Sequence, residues 1–231
     1  ILQGRVYRCH PDKHPDILGE YNLHKEVGAV SPRAQGGYIA ATKSGLELFD
    51  RDFANPIIIG DPEGRDPRTR FNDGKCDHKG RFWAGTMDYD GGAPLGSLYC
   101  VDHQLVVQQR DRGYYCANGP AFSPEQTVMY HTDSGIKTIF QLKMDPETGL
   151  LSEKSVFFEF PAAWGNPDGM TTDTEGGLWI AHWGGSRITR LTCEGDVSIS
   201  FEVPALNVTS CCFGGANLDT LFITTARYNM T

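Results

Sequence analysis

The chain has 231 residues, 39% of them apolar, with 12 Phe, 9 Tyr and 4 Trp, enough to bury a sizeable core. Its formal charge of −8 argues against a nucleic-acid partner, which needs a basic face. No apolar run approaches the roughly 18 residues of a helical membrane span, so no membrane partner is expected either. Seven cysteines, an odd number with no CxxC or zinc spacing, behave as free thiols in mostly apolar strands and point to a reducing, cytoplasmic setting.

Residues 4–12 alternate and end in a turn signal, and 19–23 follow as a further strand. Residues 27–30 and 37–40 then form a pair, 45–50 and 56–59 a second pair. The same order returns at 70–77, 80–87, 96–102 and 105–108. It returns again at 118–122, 128–130, 137–142 and 156–160. Residues 150–152 resemble a helix start, but the period leaves no room for a helix there. Residues 168–171, 177–180 and 186–191 open a further copy, and 210–213 with 221–225 close the chain.

The anchors of the second strands, Ile39, Trp83, Tyr130, Trp179 and Phe222, are 44, 47, 49 and 43 residues apart. Anchors of the third strands, Tyr7, Leu48, Tyr99, Phe140 and Thr189, step by 41, 51, 41 and 49. A period in the forties built of short strands is that of β-propeller blades. The expectation is an all-β, six-bladed β-propeller of four-stranded antiparallel blades, one domain over residues 1–231. The repeat opens on a third strand and stops after a second one. Half-blades are therefore expected to be missing at both ends of a fold of roughly 280 residues.

The first strand of each blade lines the central channel. The residues entering those strands are Val27, then Asn72 and Asp73, then Asn118, Asp168, and Thr209 or Ser210. Asn and Asp there offer hard oxygen ligands for a divalent cation. Equally, Asn-Gly and Asp-Gly are ordinary turn dipeptides. Asn207-Val208-Thr209 and Asn229-Met230-Thr231 match the glycosylation pattern, which is common by chance.

Arg70-Phe71-Asn72-Asp73-Gly74-Lys75, Ala84-Gly85-Thr86-Met87, Asn118-Gly119, Pro167-Asp168-Gly169-Met170 and Ser210-Cys211-Cys212-Phe213-Gly214-Gly215 closely resemble the regucalcin/gluconolactonase family, also called SMP-30-like. The resemblance spans essentially the whole chain. It implies a six-bladed propeller that opens sugar lactones with one divalent metal (Ca, Zn, Mn, Mg or Fe) on its axis. It implies metal ligands at Asn118 and Asp168, with a third, a Glu, expected upstream of residue 1, since Glu20 and Glu26 do not match. It further implies substrate binding by Arg70 and Asn72, with Asp73 beside them.

In that chemistry Asp168 is either the base that takes the proton of a metal-activated water or a ligand alone. Arg70 offers a planar fork of donors to hydroxyls or an oxyanion, and Asn72 both donates and accepts. His131-Thr132-Asp133-Ser134 looks catalytic but lacks the spacing of a triad. His131 is expected in the core or just behind the site, and Trp183 in the core or at the pocket wall. The expected partner is a small sugar lactone, and the protein a monomer or small homo-oligomer. The alternatives are an esterase or organophosphate hydrolase on the same propeller, or a non-catalytic calcium-binding propeller.

Overall fold

The structure, a computed structural model, describes residues 1–10 and 17–228. The turn residues Pro11 and Asp12 and the motif at Asn229-Met230-Thr231 lie outside them. The chain divides into two compact units, Ile1–Tyr114 and Tyr115–Thr231.

In the first unit β1 (Arg5–Cys9) pairs with β2 (Ile17–Asn22) alone. β3 (Val27–Pro32), β4 (Tyr38–Thr42), β5 (Gly45–Phe49) and β6 (Ile57–Gly60) form an antiparallel sheet in chain order. So do β7 (Thr69–Cys76), β8 (Phe82–Asp88), β9 (Gly96–Val101) and β10 (Val107–Tyr114). The second unit has two more such sheets. One is β11 (Ala117–Phe122), β12 (Val128–Asp133), β13 (Thr138–Met144) and β14 (Leu151–Glu159). The other is β15 (Asn166–Thr172), β16 (Leu178–Trp183), β17 (Arg187–Leu191) and β18 (Val197–Glu202). The pair β19 (Asn207–Gly214) and β20 (Thr220–Ala226) ends it. The strand order therefore opens on a third-and-fourth pair and ends on a first-and-second pair, the phase that the repeat had indicated.

Burial grades across each sheet. Second and third strands carry the core: Trp83, Phe82, Leu46, Leu98, Met129, Ile139, Ile180 and Ile188 are all at most 1% exposed. The anchors occupy matching registers, with Ile39 opposite Ser31, Trp83 opposite Lys75, Tyr130 opposite Ala121 and Trp179 opposite Thr171. Trp179 is half-buried rather than core. The fourth strands lie outermost, and all six residues of β18 are exposed.

Fourth strands depart most from the sequence expectation. Leu105 sits in the turn with φ 63, and β10 starts at Val107 and continues to Tyr114. β14 starts at Leu151, five residues before the expected strand, and β18 was not among the expected strands although its sequence, Val-Ser-Ile-Ser-Phe-Glu, alternates. In β14 the first half, Leu151 to Ser155, is mostly exposed and shows no apolar–polar alternation to mark it.

Turns are fixed by side-chain acceptors at matching places. Between third and fourth strands Asp50 Oδ1 accepts from the backbone N–H of Asp52 and Ala54, Asp102 Oδ1 from Gln104 and Val106, and Asp145 Oδ1 from Glu147 and Thr148. Between first and second strands Asp77 and Asp173 do this work, and Ser123 in the intervening sheet. Such Asx and hydroxyl turns give the backbone donors a local partner.

All seven cysteines are free. Only Cys100 and Cys211 are buried, fewer than the strand contexts suggested, and Cys9, Cys193 and Cys212 are exposed. Burial drives the Cys100 thiol up to a pKa of about 11, which keeps it protonated and inert. Asn207 is 5% exposed and donates to the carbonyls of Ala226 and Tyr228, so its motif is unsuited to glycosylation in the fold. No helix among the described residues is long and apolar enough to cross a membrane.

Candidate active site

Every first strand has a register shift where its candidate residue stands. The shifts fall between Val27 and Ala29 in β3, Phe71 and Asp73 in β7, Asn118 and Ala121 in β11, Pro167 and Met170 in β15, and Val208 and Ser210 in β19. A bulge releases one residue from the ladder and re-aims its side chain, which is how a sheet edge presents functional groups. Asn72 and Asp168 stand within these shifts, and Asn118 stands at the edge of one. Glycines allow neighbouring first strands to approach there. A Cβ on Gly28 would fall 2.6 Å from the Phe71 carbonyl carbon, and one on Gly169 would fall 2.3 Å from Ser210 Oγ.

In the first unit Arg70 Nη1 donates to Asn72 Oδ1 and to the Phe71 carbonyl, each at 3.0 Å. Asn72 is buried and Arg70 half-buried, so the two expected substrate residues form one polar group on β7. Asp73 accepts from the backbone N–H of Gly74 at 2.7 Å, a local cap on the same bulge. Tyr89, just beyond β8, lies beside them, with its ring centroid 5.8 Å from the Arg70 guanidinium and 4.8 Å from Lys43 Nζ. The Tyr89 hydroxyl donates to Glu26. Lys43, Glu26 and Tyr89 were not foreseen. They sit singly in loops, and only the antiparallel order of the strands brings those loops to one end of the sheets.

In the second unit Asn118 is 4% exposed. Its Nδ2 donates to Ser134 Oγ at 2.7 Å, and Ser134 Oγ–H donates to the Pro167 carbonyl at 2.5 Å. One hydroxyl thus links Asn118 to the residue before half-buried Asp168. Ser134 also escaped the sequence analysis, because a single Ser after Asp133 carries no motif. Asp133 itself accepts from the backbone N–H groups of Tyr115, Cys116 and Gly135, and so shapes the turn rather than serving a triad. His131 is completely buried, as expected. Trp183 meets Tyr228 with ring centroids 6.0 Å apart.

His182 lies within β16 and is fully buried opposite Pro167. Its Nδ1 is 2.9 Å from the Trp164 carbonyl, which fixes Nδ1 as the donor of the neutral ring. Burial lowers its pKa to about 4. Phe160 and Trp164 enclose the ring, with centroids 4.8 and 5.7 Å away.

Among the described residues no three His, Cys, Asp or Glu side chains gather where they could hold a metal ion. A cation in the second unit would therefore draw on an amide and a carboxylate. The fit is chemically sound: Asn118 is held through its nitrogen, the orientation that ligation through Oδ1 requires, and Asp168 adds a second hard oxygen donor.

Bulged first strands in four-stranded antiparallel sheets define a propeller-type protein with its polar residues at the strand starts. Residues 1–227 match the family described as the SMP-30/Gluconolactonase/LRE-like region, and the chain belongs to that family. It is 34% identical over 231 residues to a 6-deoxy-6-sulfogluconolactonase of Pseudomonas putida, covering 99% of this chain and 78% of the relative. It is 38% identical to regucalcin of Danio rerio over 90% of this chain and 72% of that one. Among solved structures, a calcium-binding protein, regucalcin, from Agrobacterium tumefaciens superimposes with a TM-score of 0.92 at 26% identity, over 99% of this chain and 77% of that chain.

Proposed function

We propose that this chain is a lactonase that hydrolyses a sugar lactone to its aldonic acid with the help of one divalent cation. The observation that carries this reading is the bridge from Asn118 through the Ser134 hydroxyl to the carbonyl of Pro167, the residue before Asp168, in a family whose relatives include a named sugar lactonase. The period of the repeat supports six blades.

When bound, a divalent cation polarises the lactone carbonyl and lowers the pKa of a water. Asn118 and Asp168 would hold it through Oδ atoms. Asp168 also takes the water's proton on a carboxylate oxygen as the carbonyl carbon is attacked. Arg70 donates to a ring hydroxyl or to the developing oxyanion, and its bond to Asn72 fixes the angle of the guanidinium. Asn72 and Asp73 complete the hydroxyl contacts.

The test is a panel of aldonolactones followed by proton release, after chelation and re-addition of Ca²⁺, Zn²⁺, Mn²⁺, Mg²⁺ or Fe²⁺. Turnover that disappears with the chelator and returns with a divalent cation is expected. Turnover of aryl esters or phosphotriesters without any lactone activity would assign the site to an esterase. Cation binding with no turnover of either class would make the protein a binding module.

A further inference from the structure

One short turn in the second unit braces the starts of two first strands. It follows β12 as a single-turn 3-10 helix, Ser134–Ile136, with Asp133 as its cap and Lys137 at its end. Towards β11, Asp133 accepts from the backbone N–H groups of Tyr115 and Cys116, and the Ser134 N–H donates to the Cys116 carbonyl at 3.0 Å. Towards β15, Ser134 Oγ–H donates to the Pro167 carbonyl at 2.5 Å. Lys137 Nζ donates to the carbonyls of Gly165 at 2.9 Å and Ala162 at 3.1 Å. The turn packs closely, since a Cβ on Gly135 would fall 2.4 Å from Tyr115 Cβ. The segments leading into Asn118 and Asp168 are thus tied to one piece of backbone.

Within this turn the Ser134 hydroxyl determines how the Asn118 amide faces. A hydroxyl has a single proton, and the Pro167 carbonyl can only accept, so that proton is committed. What Ser134 Oγ offers Asn118 is then a lone pair, and the group facing it at 2.7 Å is the amide nitrogen. Cys116 Sγ lies on the same side, 3.6 Å from Nδ2. Oδ1 is therefore on the opposite limb of the amide. Asn118 and Ser134 are 4% and 8% exposed, which leaves little room for water to replace either bond. A comparable bond joins the far ends of β11 and β15, where Thr172 Oγ1 donates to the Phe122 carbonyl at 2.6 Å.

We propose that Ser134 is a positioning residue for the cation: it presents Asn118 Oδ1 as a ligand and fixes the strand start that carries Asp168. The proposal rests on the lactonase reading for its reaction and on the committed hydroxyl proton for the orientation. An outer partner of this kind acts by deciding which atom of a ligand side chain faces the ion. Without it the Asn118 amide can turn and present its N–H₂ group, a donor that repels a cation.

The experiment titrates Ca²⁺, Mn²⁺ and Zn²⁺ calorimetrically into metal-free protein without substrate, and follows aldonolactone turnover separately. Ser134→Ala should weaken cation binding about tenfold to a hundredfold. Ser134→Thr, which keeps the hydroxyl, should recover most of it. Thr172→Val deletes the comparable bond at the far end and should leave the affinity within about twofold. The orientation itself is read from a double-mutant cycle. In an Asn118→Asp background either carboxylate oxygen can meet the cation, so the Ser134→Ala penalty should shrink to about twofold. An equal penalty in both backgrounds, or cation binding unchanged in Ser134→Ala, overturns the proposal. A loss in Thr172→Val as large as that in Ser134→Ala does the same, because both bonds would then serve the fold alone. Lactone turnover that needs no cation overturns the Ser134 proposal and keeps the lactonase. Ser134-dependent cation binding with no turnover of any lactone removes the lactonase reading and leaves Ser134 in its role. Should Ser134→Ala not fold, Ser134→Cys keeps the size of the side chain with a far weaker donor and acceptor, and carries the same expectations.

Discussion

The two ends of the first strands use polar residues in opposite ways. At the turn into the second strand, Asp77 is buried, and its Oδ2 accepts from Arg81 Nε at 2.6 Å and Trp83 Nε1 at 3.0 Å, while Oδ1 accepts from the Arg81 backbone N–H at 3.0 Å. Asp173 repeats the pattern with Arg190 Nε at 2.6 Å, Trp179 Nε1 at 2.8 Å and the Gly177 N–H at 2.8 Å. The guanidinium comes from the residue before β8 in one case and from β17 in the other, so what is repeated is the environment of the carboxylate. At the starts of the same strands the ladder is interrupted by bulges, and the Asn118 amide donates to the Ser134 hydroxyl at 2.7 Å and lies 3.6 Å from the Cys116 sulfur. Carboxylates closed in at the turns serve the fold, whereas the bulged starts carry the residues proposed for the chemistry. Substitutions at the turn end should therefore cost stability, and those at the start should cost activity.

The largest effect is expected at Asp168. Replacing it by Ala removes a cation ligand and the proton acceptor together, so lactonase activity should fall about a thousandfold, with a melting temperature within a few degrees of the wild type in metal-free buffer. Asp168→Asn should keep part of the cation affinity and recover little of the rate. Normal turnover in both variants would remove Asp168 from the chemistry. A collapse in metal-free stability would move it to the fold-serving class with Asp77.

At the turn end Asp77→Ala should destabilise by about 3–5 kcal/mol, because it leaves Arg81 and the Trp83 N–H without their acceptor in the interior. Asp77 and Arg81 side chains are 0% and 4% exposed, against 17% and 12% for Asp173 and Arg190. Water can reach the second pair, so Asp173→Ala should cost only about 1–2 kcal/mol. Burial alone would raise the Asp173 pKa, but its bonds from Arg190, Trp179 and the Gly177 N–H outweigh that and hold it below the usual range. Chemical denaturation of both variants checks the ranking, and equal losses would show that burial does not separate the two.

Much of this division was legible in the sequence. Trp83 and Tyr130 marked the second strands because a half-period of apolar residues recurs only where both faces are covered, and the phase of the repeat located Asn118 and Asp168. The first half of β14 stayed hidden because its mostly exposed residues do not alternate, whereas β18, Val-Ser-Ile-Ser-Phe-Glu, does alternate and went unread. Lys43, Glu26 and Tyr89 were hidden for a different reason. Each is one loop residue, and their relation arises from three separate connections that the sheet order brings to one end. Ser134 enters through its bridge from Asn118 to Pro167, a contact across 33 residues of sequence that no local pattern encodes.

His182 gives the finest test of the comparison, since it is a fully compressed, structural side chain at the end assigned to function. Its ring is buried against Phe160 and Trp164, and its pKa of about 4 lies below the ordinary histidine value of 6.5 because burial disfavours the charged form. Arg187 adds a like charge that lowers it further, while the Trp164 carbonyl opposes the shift by accepting from Nδ1. The unfolded chain therefore takes up a proton near pH 6.5 that the folded chain refuses until about pH 4. Between those values unfolding is linked to proton uptake, so stability is fully present above pH 6.5 and declines as the pH falls towards 4. The decline attributable to this residue is at most roughly 3 kcal/mol. His182→Phe fills a similar space without a titrating group, and should remove this part of the pH slope at a fixed cost for the lost Trp164 bond. Denaturant titrations of both proteins from pH 7.5 to 4 measure the difference. Parallel slopes would mean that His182 titrates normally in the fold, and that the start of β15 is less tightly closed around it than the ring contacts indicate.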